Sequence, residues 1–160
     1  MDKKVKNILY IDTEVFFTML RKDRLDEITY KHLEMLAADE SVRIKIPKSQ
    51  HTHLHELRLD SMQHKQFVSQ ETLRLISYFL DKRQFVFVDD KDNDEMFWQK
   101  VLEDLQAGYN VSLIIDDIKV QNLIKSHLQS EHSSLQQRLY IVSSKELKEW
   151  LEKEVKEEAR

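Results

Sequence analysis

The sequence predicts a doubly wound α/β domain built on a central parallel sheet of five strands, with helices on both faces. Three observations carry this. Five short runs rich in β-branched and aromatic residues recur along the chain: ILYI (8–11), VRIKI (42–46), FVFV (85–88), VSLII (111–115) and LYIV (139–142). Helical periodicity fills the segments between them, and strands alternating with helices pair in parallel through right-handed crossovers. The nearly continuous apolar character of ILYI, FVFV and VSLII suits strands buried on both faces.

Each helix is legible from its apolar stripe. Residues 14–21 form the first. Residues 26–38 form the second, with Ile28, Leu33, Leu36 and Ala37 on one side. Two more are predicted over 50–66 and 70–81, the latter carrying Leu73, Ile76, Phe79 and Leu80. The stripe Phe97, Val101, Leu105 marks 94–107, and Val120, Leu123, Ile124, Leu128 marks 118–129. A last helix, 144–158, begins at a Ser144 N-cap and carries Leu147, Trp150, Leu151 and Val155 on one side. It is expected to pack on the domain, with a homodimer or partner contact as the alternative. Trp98, Phe16 and Phe17 are expected in the core.

A chain of 160 residues favours a single domain, 1–160, with a real hydrophobic core. Apolar residues at 41% and charged residues at 34% place it among globular rather than disordered chains. No apolar run approaches the roughly 20 residues of a membrane helix. With no cysteine and no apolar leader before the first strand, a cytoplasmic location is expected. One Gly and one Pro in the whole sequence exclude a glycine-rich phosphate loop. The formal charge of −4 argues against coating nucleic acid by bulk attraction. It is compatible with an enzyme of nucleic acids whose acids are concentrated in one place.

The acids are concentrated. Asp12 ends the first strand, Asp89 and Asp90 end FVFV ahead of Asp92, Asp94 and Glu95, and Asp116 and Asp117 end VSLII. Doubly wound sheets bind ligands at the carboxyl ends of their strands, so three strands deliver carboxylates to one edge. Any one such acid is adequately explained as a cap for the following helix. Several together repel, and a hard divalent cation such as Mg²⁺ or Mn²⁺ relieves that repulsion. An acidic cage of this kind suits hydrolysis of a phosphodiester.

The order of elements resembles the PIN-domain nucleases. The start ILYIDTEVFF is similar to the apolar-strand-Asp-Thr signature of that family, and VSLIIDD resembles its last acidic strand. Asp94 matches the family's Asp at a helix start about 20 residues before the final acid, and Glu56-Leu57 in HTHLHELRLD matches its helical Glu. The resemblance implies a sheet order of 3-2-1-4-5, with 42–46 beside 7–11 and 85–88 outermost. It implies a catalytic and metal-binding set of Asp12, Glu56, Asp94 and Asp117, with Asp92 as the substitute for Asp94 and Asp116 for Asp117. It further implies one or two Mg²⁺ or Mn²⁺ ions, single-stranded RNA as substrate, and a protein inhibitor like the antitoxins of toxin members. Two departures stand out: Glu14 replaces the usual Asn or Ser and adds an acid at the mouth, and Ile115 replaces a Thr.

Lys48 and Lys119 follow strands at the same edge and are candidates to hold RNA phosphates. His51, His53 and His55 alternate beside Glu56. They are read as a solvated helix start, against a Zn²⁺ or Mn²⁺ site as the sharper alternative. Two other function classes compete. A receiver-like phosphoacceptor domain would need a Thr or Ser where Ile115-Asp116 stands and a Lys-Pro where Lys145-Glu146 stands. A PIN-like scaffold without activity, binding protein or RNA, would be separated from an enzyme by a metal titration.

Overall fold

The computed structural model describes residues 5–12, 15, 27–49, 52, 70, 74, 77, 85–91, 93–130, 132–147, 149–150 and 152–153. Its centre is an all-parallel sheet of β1 (Asn7–Ile11), β2 (Val42–Pro47), β3 (Phe85–Val88), β4 (Asn110–Ile114) and β5 (Leu139–Val142), ordered β3-β2-β1-β4-β5. This is the order expected, with β2 and β4 flanking β1 and β3 at an edge. The described helices are α1 (Glu27–Ala38), α2 (Asp94–Gln106) and α3 (Ile118–Ser130), and a 3-10 turn over Ser133–Arg138 leads into β5. No helix among the described residues is long and apolar enough to cross a membrane.

Alternation along the strands divides the core in two. Ile8 and Tyr10 of β1, Val111 and Leu113 of β4 and Leu139 of β5 pack with Phe97, Trp98, Val101, Leu102 and Leu105 of α2 and Val120, Ile124 and Leu128 of α3. The intervening residues Leu9, Ile11, Ile44, Ile46, Ile114 and Val142 are buried too, so the central strands are covered on both faces. The apolar stripes predicted for 94–107 and 118–129 are therefore the buried ones. Trp98 is core, with the His127 ring stacked on it at 5.4 Å between centroids. FVFV differs from expectation. As an edge strand β3 leaves Val86 42% exposed, because an outermost strand has a neighbour on one side only.

The ends of α2 explain its position. Asn93 caps its start, its side-chain Oδ1 accepting from the Met96 N–H at 3.1 Å. The only glycine of the sequence, Gly108, stands just past its end at φ 101. The Gly108 N–H donates to the Leu105 carbonyl at 3.1 Å and the Tyr109 N–H to the Asp104 carbonyl at 3.2 Å. This pair of bonds is the Schellman termination that a left-handed residue permits. The chain then turns directly into β4. At the last helical stretch Ser144 is not the cap: residues 144–146 form a turn and the helix begins at Leu147, while the Ser143 N–H and Oγ–H both donate to Glu146 Oε1, at 3.3 and 2.9 Å. Ser144 is buried instead. The predicted helices over 14–21, 50–66 and 70–81 lie mostly outside the described residues.

Candidate active site at the carboxyl edge of the sheet

Parallel strands all end on the same side, so the residues that follow β1, β3 and β4 are neighbours in space. Asp12 follows β1 directly and is 7% exposed. Its N–H donates to the Ile114 carbonyl at 3.0 Å, and its own carbonyl accepts from the Val15 N–H at 3.0 Å, so the backbone on both sides is tied down. Beyond β3 the chain passes through Asp89 and Asp90 into a tight turn with Lys91 at φ 51. Asp89 Oδ1 accepts from the Lys91 N–H at 3.1 Å, and the Asn93 N–H donates to the Asp90 carbonyl at 3.0 Å. That turn delivers Asp94 to the first position of α2. Beyond β4, Asp117 caps α3, its Oδ1 accepting from the N–H groups of Lys119 at 2.9 Å and Val120 at 3.4 Å.

Asp12, Asp90, Asp94 and Asp117 line one cavity of about 50 Å³, walled otherwise by Pro47, Phe97, Ile115 and Val120. That space suits an ion with its water rather than a nucleotide base. Three of the four acids expected from the sequence are thus together. The fourth, Glu56, lies outside the described residues, as do Glu14, Asp92, His51, His53 and His55. Asp116 is directed elsewhere, its Oδ1 accepting from the Ser144 N–H at 2.7 Å beside β5, which leaves Asp117 as the acid of that pair at the cavity. Lys48 and Lys119 are both exposed at the same edge.

Asp90 was not among the acids singled out for the site. It is 6% exposed, and Ser49 donates to it twice, from its N–H to Oδ1 at 3.1 Å and from its Oγ to Oδ2 at 2.5 Å. Its position at the end of FVFV was a signal; the partner 41 residues away was not.

The lining supplies oxygen donors only, the chemistry that Mg²⁺ and Mn²⁺ prefer. Among the described residues, no group of three or more His, Asp or Glu side chains is placed to hold a metal ion. An ion that keeps several waters and takes one or two carboxylates, as Mg²⁺ does, needs no such group.

A second acid of the same face is treated differently. Asp104 of α2 accepts from the Tyr10 hydroxyl and, at 3.0 Å to each oxygen, from Lys45 Nζ, which also lies 5.8 Å from the Tyr10 ring centroid. Burial, and after it the hydrogen bond to Asp104, raise the Tyr10 hydroxyl well above the ordinary tyrosine range. A larger groove of about 400 Å³ runs between α3 and β5, lined by Gln121, Lys125, Leu128, Leu139, Ile141, Ser143 and Glu146. It holds one carboxylate and no convergent set. Compared with known proteins, the chain matches no family model and no curated sequence.

Proposed function

We propose that the acidic cavity is the active site of a Mg²⁺- or Mn²⁺-dependent endoribonuclease acting on single-stranded RNA, PIN-like in layout. One observation carries the reading: Asp12, Asp94 and Asp117, from three segments far apart in sequence, line one small cavity together with Asp90. Carboxylates drawn together in this way favour a divalent cation among them. When bound, such an ion polarises the phosphodiester and lowers the pKa of a coordinated water. The residues of this chain supply the rest. Asp12 has its backbone held at both its N–H and its carbonyl, which fixes where its carboxylate is delivered. Asp94 and Asp117, both exposed, stand at the mouth where substrate and water enter. Phe97, Ile115 and Val120 make the inner wall apolar, which limits the water around the acids. Lys48 and Lys119 hold phosphates on either side of the scissile bond without reading sequence. Glu56, a cytoplasmic setting and an inhibitor protein belong to the same proposal.

A second reading, a PIN-like scaffold that binds protein or RNA without cutting it, is favoured by one observation. Asp117 already spends Oδ1 on two backbone N–H groups, which is a sufficient structural role. Cleavage of a single-stranded RNA oligonucleotide by Asp12→Asn separates the two readings, because the substitution removes an anionic donor at almost constant shape. The nuclease reading expects cleavage to fall by orders of magnitude, with Asp89→Asn as the unaffected control. Asp89 is exposed and lies outside the cavity, and Asn retains the oxygen that accepts from Lys91. Equal cleavage by Asp12→Asn and wild type would leave the scaffold reading standing.

A further inference from the structure

β2 ends at Pro47, and the chain turns helical at Lys48 and Ser49. The N–H groups of a first helical turn have no partner within the helix. The Ser49 N–H finds one in Asp90 Oδ1, across on the end of β3. A cap needs no more than that one oxygen. Here the Ser49 hydroxyl also holds Oδ2, so the carboxylate is gripped at both oxygens and cannot turn about its own bond. A carboxylate oxygen has capacity for more than one partner, so each still has a lone pair to offer. The gripped group is 6% exposed and lines the cavity with Asp12, Asp94 and Asp117.

We infer that Ser49 is a positioning residue, holding Asp90 as a pre-aimed carboxylate for the divalent cation of the cavity. The inference rests on the nuclease reading and adds to it a residue that touches neither metal nor RNA. Partners of this kind, hydrogen-bonded to a ligand rather than to the ion, typically change metal affinity 10- to 100-fold when removed. They do so because the ligand must otherwise be ordered at the moment of binding.

The test is calorimetric titration of the full chain with Mn²⁺, alongside the melting temperature of the metal-free protein. Ser49→Ala should weaken the Mn²⁺ Kd by about 10- to 100-fold. Ser49→Thr, which keeps both donors, should restore it to near the wild-type value. Asp90→Asn, almost isosteric but able to accept only one of the two Ser49 bonds, should weaken Kd at least as much as Ser49→Ala. A Ser49→Ala protein that melts earlier but binds Mn²⁺ like wild type would show a cap and nothing more, and would overturn the inference. Loss of binding in Asp12→Asn with none in Asp90→Asn would overturn it while leaving the nuclease reading intact. Absence of Mn²⁺ binding in wild type would bring down both.

Discussion

Two acidic sites, one around Asp104 and one at the carboxyl edge, share β1 and α2. Tyr10 and Asp12 are two residues apart on β1 and its end; Asp104 and Asp94 lie near opposite ends of α2. In the middle of the sheet, Asp104 is matched by a cation and a hydroxyl from this chain, Lys45 and Tyr10. At the carboxyl edge, the described residues lining the cavity bring four carboxylates and no lysine or arginine. The first group is matched within the chain. The second is arranged around a space. Charge matched within the chain contributes to the fold, whereas under the proposed function the carboxylates around the cavity also meet an ion from solution.

The contrast is broken most forcefully by exchanging the experiments. Asp12→Asn is expected to lose RNA cleavage by orders of magnitude while remaining folded. Asp104→Ala should do the opposite. It leaves the Lys45 ammonium and the Tyr10 hydroxyl without their acceptor in a largely buried setting, which costs about 3 kcal/mol. In a chain of this length that corresponds to a melting temperature lower by roughly 6–12 °C. Lys45 retains a side-chain exposure of 21%, so it reaches water in part and the effect belongs at the lower end of the range for buried pairs. Mn²⁺ affinity should be unchanged in Asp104→Ala once the protein is assayed well below its melting point. An Asp104→Ala protein with wild-type stability would mean that the central cluster contributes nothing to the fold.

Much of this arrangement is visible in the sequence, and the boundary is physical. Strands declare themselves because β-branched and aromatic runs are local, so 8–11, 42–46, 111–115 and 139–142 agree with β1, β2, β4 and β5 to within a residue. The carboxyl-edge rule then brings Asp12, Asp94 and Asp117 together without knowledge of any side-chain contact. It says nothing of how adjacent acids divide their work, and Asp116 goes to Ser144 because β5 ends within reach of it. The bonds between Ser49 and Asp90, and between Tyr10 and Asp104, join residues 41 and 94 positions apart. They depend on register between strands and on which side of α2 faces them. No local pattern encodes that. Likewise the exposure of Val86 follows from the place of β3 in the sheet, which FVFV alone does not carry.

The central cluster should also announce itself through pH. Burial first, and the hydrogen bond to Asp104 second, keep the Tyr10 proton on in the folded protein beyond the ordinary tyrosine value near 10. The unfolded chain therefore gives up this proton earlier as pH rises. Tyr10 contributes its full share of stability below pH 10, and the share is lost progressively above it, by up to about 1.4 kcal/mol per pH unit. Denaturant titrations of wild type and Tyr10→Phe between pH 8 and about pH 11.5 should differ by a constant amount up to pH 10 and converge above it. Parallel curves throughout would show that the Tyr10 hydroxyl is not held in this way. The acidic cavity takes no part in this titration, so Mn²⁺ binding should be insensitive to the substitution.

The smallest effect tests whether the two groups are mechanically separate, although one helix carries an acid of each. Gly108 ends α2 four residues beyond Asp104 and lies at the far end from Asp94. A Cβ built there meets nothing within 4 Å, so Gly108→Ala introduces no clash, and its cost is purely that of holding a side-chain-bearing residue at φ 101. That cost is about 1 kcal/mol, or roughly 2–4 °C in melting temperature. The fraying it allows should be confined to the last turn, where the Gly108 and Tyr109 N–H groups hold the carbonyls of Leu105 and Asp104. Asp94 is kept in place by the Asn93 cap and the turn around Lys91, neither of which depends on the helix C-terminus. Gly108→Ala should therefore lower stability slightly and leave both Mn²⁺ affinity and RNA cleavage at wild-type values. A loss of Mn²⁺ affinity in this variant would show that the aim of Asp94 depends on how α2 ends, and that the two acid groups are coupled through the helix they share.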